Sequence, residues 1–165
     1  PGKCAEHIDE AVNCDSQAAS EYALGLRGQS EPKVTDHQSL QLREVSLDRL
    51  KHIPEGGGWQ DLPIELQPKN LKKFNGSSFD NRYGRLNWDK QFGTVVTKPE
   101  PYWGRVFHPV ENRLITVRET ARAQGFTDSF MFSGPITQRY KQIGNEVPPV
   151  VAKALANNLL EILVS

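Results

Sequence analysis

Two cysteines, Cys4 and Cys14, are the only thiols in this 165-residue sequence. A thiolate is the side chain best suited to open a covalent mechanism. Cys4 lies close to Glu6 and His7, but with Cys14 the group lacks the second ligand pair that a structural zinc site requires. Two cysteines also cannot form a disulfide framework, which points to a reducing compartment. The four histidines are scattered and make no recognisable Ser/His/Asp order. Gly56-Gly57-Gly58 has neither a preceding strand nor a following Lys-Ser/Thr, so it reads as a turn and not as a phosphate cradle. One polar turn stands out late in the chain, Gly144-Asn145-Glu146-Val147-Pro148-Pro149. A turn that leads into a helix start offers free backbone N–H groups to a polar ligand. Taken alone, the same residues equally describe a plain helix-initiating turn.

The elements that must position these residues are unevenly marked. Hydrophobic residues make up 37% of the chain and charged residues 24%, the composition of one water-exposed globular domain. No apolar run approaches the roughly 20 residues of a membrane span, and no membrane partner is expected. The opening PGKCAEHIDE lacks an initiating Met and leads to the expectation of an internal start. Residues 1–38 read as a poorly defined lead-in with a short helix at most. Leu42, Val45, Leu50 and Ile53 have helical spacing within 39–53, which Pro54 and the glycine run stop. Residues 55–82 have loop composition, and 83–107 alternate β-prone runs, TVVT and GRVF, with Pro-rich turns. Thr116-Val117-Arg118-Glu119 fits a capping box, and Gly125 is placed to end that helix after about two turns. Pro148 and Pro149 open a last helix, whose Val151, Leu155, Leu159, Ile162 and Leu163 form a stripe that needs burial.

Net charge is zero, yet its distribution is uneven. Acidic residues dominate 1–31, whereas Lys69, Lys72, Lys73, Arg82, Arg85, Lys90 and Lys98 face only Asp80 and Asp89 in 69–98. That basic stretch is a candidate surface for an anionic polymer.

Three ordered blocks carry more information: YGRLNWDKQFGTVVTKPEP, HPVENRLITVRETARAQGFTDSF and QRYKQIGNEVPP. Together they resemble the back half of the DNA (cytosine-5)-methyltransferases, most closely the eukaryotic maintenance and chromomethylase branches. The resemblance implies an α/β fold, the C-terminal fragment of a Rossmann-like S-adenosylmethionine-dependent methyltransferase with a small, loop-rich target-recognition domain. It assigns residues 1–107 to the target-recognition region and 108–165 to the ninth and tenth motifs, which return to the catalytic domain and end in an amphipathic helix. In that family the helix from Arg118 to Gly125 braces the recognition domain. The resemblance implies S-adenosyl-L-methionine as cofactor, with Asn145 and Val147 at matching contact positions, and double-stranded DNA as partner. Such enzymes flip the target base, so recognition loops must hold the flanking duplex. The expected backbone contacts are Lys72, Lys73, Arg82, Arg85 and Lys98, with Tyr102 and Trp103 in the loop Pro99–Arg105 as groove-side contacts.

The match has departures. Residues 64–82 are short and cysteine-free where metazoan maintenance enzymes hold a metal-binding insertion. Phe79 stands where that branch senses a parental methyl group, with Arg82 where an apolar neighbour is expected, which argues against reading hemimethylated sites. Thr127 replaces the usual Pro after Gly125-Phe126. The family's nucleophile lies in Pro-Cys-Gln and its base-steadying acid in Glu-Asn-Val. Neither tripeptide occurs here, and Glu111-Asn112 lies in a linker. No catalytic residue is therefore expected in this chain, and the missing N-terminal catalytic half is itself an expected partner, in the same parent chain or a separate one.

The leading expectation is an enzyme fragment of the nucleus that is inactive alone. A non-catalytic DNA-binding or regulatory module, or one half of a split methyltransferase, are the alternatives; the reading frame upstream and co-purification discriminate them. The tRNA-methylating relatives are disfavoured by YGRLNWD and TVVT. Because the last helix's stripe needs a covering surface, the isolated chain is expected to expose apolar area and self-associate. Analytical ultracentrifugation checks this; a monodisperse monomer with cooperative melting would contradict it.

Overall fold

The computed structural model describes residues 12–13, 20–28, 33–69, 71 and 81–164. Among these the architecture is α/β, with five α-helices and two two-stranded sheets. In chain order they are β1 (Val12–Asn13), α1 (Glu21–Arg27), β2 (Lys33–Val34), α2 (Glu44–Lys51), β3 (Gly84–Arg85), β4 (Arg105–Phe107), α3 (Val117–Gln124), α4 (Ile136–Asn145) and α5 (Pro149–Val164). Single 3-10 turns occupy Trp59–Asp61 and Pro101–Trp103. β1 pairs antiparallel with β2, and β3 parallel with β4 across a register shift. No described helix is long and apolar enough to cross a membrane.

The chain forms two compact units. The first contains Ser39–Thr94 and Lys98–Ile115. Its core is Leu50, Ile53, Leu62, Val106, Phe107 and Leu114, with Leu40, Leu42, Trp59, Leu66 and Tyr83 packed against it. Helix α2 is shorter than the spacing predicted: it starts at Glu44, so Val45 falls on the solvent side while Leu50 and Ile53 keep the core side. GRVF becomes β4, but TVVT does not become a strand. Residues Gln91–Thr97 run without any backbone hydrogen bond among the described residues; a β-prone run needs a partner edge, and no described strand pairs with it.

The second unit contains Val95–Thr97, the described residues up to Gln38, and those from Thr116 onward. Here the local signals hold. The Thr116 hydroxyl accepts from the Glu119 N–H at 3.1 Å, and the Glu119 carboxylate accepts from the Thr116 N–H at 2.7 Å. The next two orphan donors of α3 are also satisfied, Val117 N–H by the Gln38 carbonyl and Arg118 N–H by that of Asp36. Gly125 ends the helix in the left-handed region at φ +93°. Its N–H and that of Phe126 donate back to Arg122 and Ala121, the paired closure of a Schellman motif.

Helix α4 was not anticipated, since ITQRYKQIGN is largely polar and buries only Tyr140 and Ile143. Its last turn requires a glycine: a Cβ on Gly144 would lie 2.6 Å from Thr97 N and 2.7 Å from Thr97 Cα and Val96 C. Helix α5 carries the predicted apolar residues, and Val151, Leu155, Leu159, Ile162 and Leu163 are all exposed.

Gly125→Val should destabilise the second unit by about 1–3 kcal/mol, because a β-branched residue is strained at positive φ. The built Cβ would also touch Val150 Cγ2 at 3.4 Å. Urea unfolding followed by circular dichroism checks this; an unchanged midpoint would contradict it.

Candidate functional site

In the first unit, two basic residues that the sequence places side by side on the surface have different fates. Arg85 is only 4% exposed. Its Nε donates to the Ile53 carbonyl at 2.8 Å, Nη1 to His108 and Glu111 carbonyls at 2.9 and 3.0 Å, and Nη2 to the Leu50 carbonyl and Asn112 Oδ1, both at 2.8 Å. All five donors are used inside the fold, and burial lowers its pKa from the ordinary arginine value. The expected phosphate contact by Arg85 is thus corrected: the side chain is a structural tie. Lys72 and Lys73, and the methyl-sensing candidate Phe79, lie outside the described residues.

Arg82 is half-buried and is organised by aromatic rings. Its guanidinium lies 4.3 Å from the Tyr102 ring centroid and 5.2 Å from that of Trp103. Tyr102 and Trp103 meet edge to face at 5.0 Å, and Tyr102 meets Tyr83 at 6.3 Å. Arg49 covers the other end, 5.2 Å from the Tyr83 ring. Cations and rings therefore form one connected series: Arg49, Tyr83, Tyr102, Arg82, Trp103. The loop bearing Tyr102 and Trp103 is pinned on both sides, by Tyr83 N–H to the Pro101 carbonyl at 2.6 Å and Gly84 N–H to the Gly104 carbonyl at 3.3 Å. Tyr83 itself has φ +48°, a costly conformation for an aromatic residue. Trp103 remains 59% exposed. Lys98 is exposed and ion-paired with Glu100, an arrangement weak enough in water to exchange for another anion.

In the second unit, Asn145 is the final residue of α4 and not part of an open turn. The tight connection that follows places Asn145 and Val147 in the open, Val147 at 51% exposure. Gln124 fixes this connection by donating to the Glu146 carbonyl at 2.9 Å. Among the described residues no hydrogen bond engages the Asn145 carboxamide, and the residue is exposed.

Sequence reasoning missed the polar centre of this unit. Arg118 is fully buried and donates to the Thr35, Thr127 and Phe130 carbonyls, the Thr35 hydroxyl and Asp36 Oδ2. Burial lowers its pKa, and the neighbouring Asp36 and Asp128 charges oppose that shift. Arg139 donates to the other Asp36 oxygen at 2.7 Å. Asp36 is left-handed, at φ +60°. Nothing in Thr35-Asp36-His37 announces this role except that Asp tolerates such a backbone better than most residues.

The α/β arrangement is shared with a solved protein, and the sequence with a family of known class. A solved protein encoded within an E. coli prophage and assigned as a DNA modification methyltransferase superposes with a TM-score of 0.53 over 98% of this chain and 45% of its own, at 21% identity. The sequence model for C-5 cytosine-specific DNA methylase matches residues 20–161. The chain belongs to that family. It is 41% identical to DNA (cytosine-5)-methyltransferase 1A of Oryza sativa subsp. japonica, over 79% of this chain and 10% of the relative. Arabidopsis thaliana DNA (cytosine-5)-methyltransferase 4 is also 41% identical, over 88% of this chain and 11% of the relative. Mus musculus DNA (cytosine-5)-methyltransferase 1 is 52% identical over 50% of this chain. The chain thus spans about a tenth of the length of the plant relatives.

Arg85→Met should cost about 3 kcal/mol, because it strands two buried carbonyls and three part-buried acceptors. Chemical denaturation measures it; a loss under about 1 kcal/mol would show that water replaces the guanidinium.

Proposed function

We propose that this chain is the C-terminal part of a DNA (cytosine-5)-methyltransferase of the maintenance and chromomethylase type. It supplies DNA recognition and one edge of the cofactor pocket, and it transfers no methyl group alone. One observation carries the reading: the family's sequence pattern runs through residues 20–161, while neither Pro-Cys-Gln nor Glu-Asn-Val occurs anywhere in the sequence. Without a thiolate at cytosine C6 there is no covalent activation of C5.

Within this reading the first unit grips duplex DNA. Lys98 and Arg82 meet phosphates, with Lys72 and Lys73 as further proposed contacts, and Tyr102 and Trp103 lie against the groove. Arg85 has no part in it. Phosphate contacts fix position and register, and they compensate the few kcal/mol lost when a base is unstacked. In the second unit, the exposed carboxamide of Asn145 and the backbone at Val147 fit the polar part of S-adenosylmethionine as one wall of a site. When bound, that cofactor supplies the methyl group. Asn145 would hold and orient it by hydrogen bonding, and the remaining walls belong to the Rossmann-like sheet of the catalytic half. The nucleus is the proposed location, as the compartment of the DNA substrate.

Labelled S-adenosylmethionine incubated with this chain and duplex DNA should give no incorporation; robust transfer would overturn the reading. The same chain should bind duplex DNA with an affinity that falls as salt rises. Lys98→Ala should reduce the slope of log K against log salt by roughly one phosphate's worth.

A further inference from the structure

The cation–aromatic series Arg49, Tyr83, Tyr102, Arg82 and Trp103 ends in a half-open indole whose construction exceeds what a groove-side contact needs. A surface tryptophan that only filled space would not need a guanidinium over its ring, a perpendicular Tyr102 against it and a loop tied at Pro101 and Gly104. Each of these restrains the ring before any ligand arrives, which removes part of the ordering cost of binding. The ring is aromatic, flanked by positive charge, and 59% exposed. That combination suits a π-system attached to an anionic chain, which is what a nucleobase is.

We propose that Trp103 is a stacking platform for a base left unpaired in duplex DNA, with Arg82 and Tyr102 holding the indole in position. The inference rests on the DNA-binding reading above and deepens it. When a base is extruded from a duplex its partner loses both its pairing and part of its stack. A rigid indole at that step replaces the lost stacking without reading base identity, since every base presents a π-face. The guanidinium of Arg82 lies over the ring, and the perpendicular packing with Tyr102 sets its angle. Phosphate contacts and stacking are then separable: the former respond to salt, the latter responds to the pairing state of the DNA.

The test uses the whole chain and two labelled duplexes of one sequence, one fully paired and one with a single base opposite an abasic position, at matched salt. The wild-type chain should prefer the interrupted duplex by roughly five- to hundredfold, the range expected of one stacked base. Trp103→Ala should bring the ratio close to one and leave the salt slope as in the wild type, because no charge is removed. Trp103→Phe should retain most of the preference. Equal wild-type affinity for the two duplexes, or a preference that survives Trp103→Ala, overturns the platform while leaving the DNA reading intact. A wild-type chain with no salt-dependent affinity for either duplex removes both.

Discussion

A guanidinium taken out of water needs acceptors for its N–H donors, and each unit of this chain is arranged around that demand. In the first, Arg85 satisfies it without a carboxylate, by gathering carbonyls from the end of α2 and from the turn after β4. Those carbonyls belong to segments far apart in sequence, so the side chain defines where the two backbones meet. In the second, Arg118 does the same with Thr35, Thr127 and Phe130, and adds Asp36. Among the described residues neither unit has more than a two-stranded sheet to impose order. Buried polar ties of this kind take the place that strand ladders hold in larger α/β domains.

The sequence was most legible where structure is decided within a few residues. Thr116 with Glu119, Gly125, and the Pro148-Pro149 pair all act over one helical turn, and each appears where the pattern places it. Legibility fails where the outcome depends on a distant partner. TVVT has strand propensity but no neighbouring edge, and α4 buries too few residues to leave a stripe in the pattern. Charge misleads for a similar reason. Arg82 and Arg85 are three residues apart and chemically identical, yet one is half-buried against aromatic rings and the other is buried among carbonyls.

The candidate site shows the same division. Arg82, Tyr102 and Trp103 were recognisable as the residue types a nucleic-acid surface uses. Their assembly with Tyr83 and Arg49 was not, because cation–aromatic stacking across such separations leaves no periodic trace. Asn145 was recognisable through its family setting alone. Its position at the end of a helix, with its carboxamide unengaged, comes from the structure.

Gly144 adds a constraint of another kind. What its missing side chain leaves room for is the main chain at Val96 and Thr97, not their side chains. A crowded pair of side chains can be repaired by shrinking either member. Here no exchange at 96 or 97 creates space, since every amino acid brings the same N, Cα and carbonyl carbon. The position therefore has no second-site suppressor, and this part of the fold can drift in composition only around a fixed glycine.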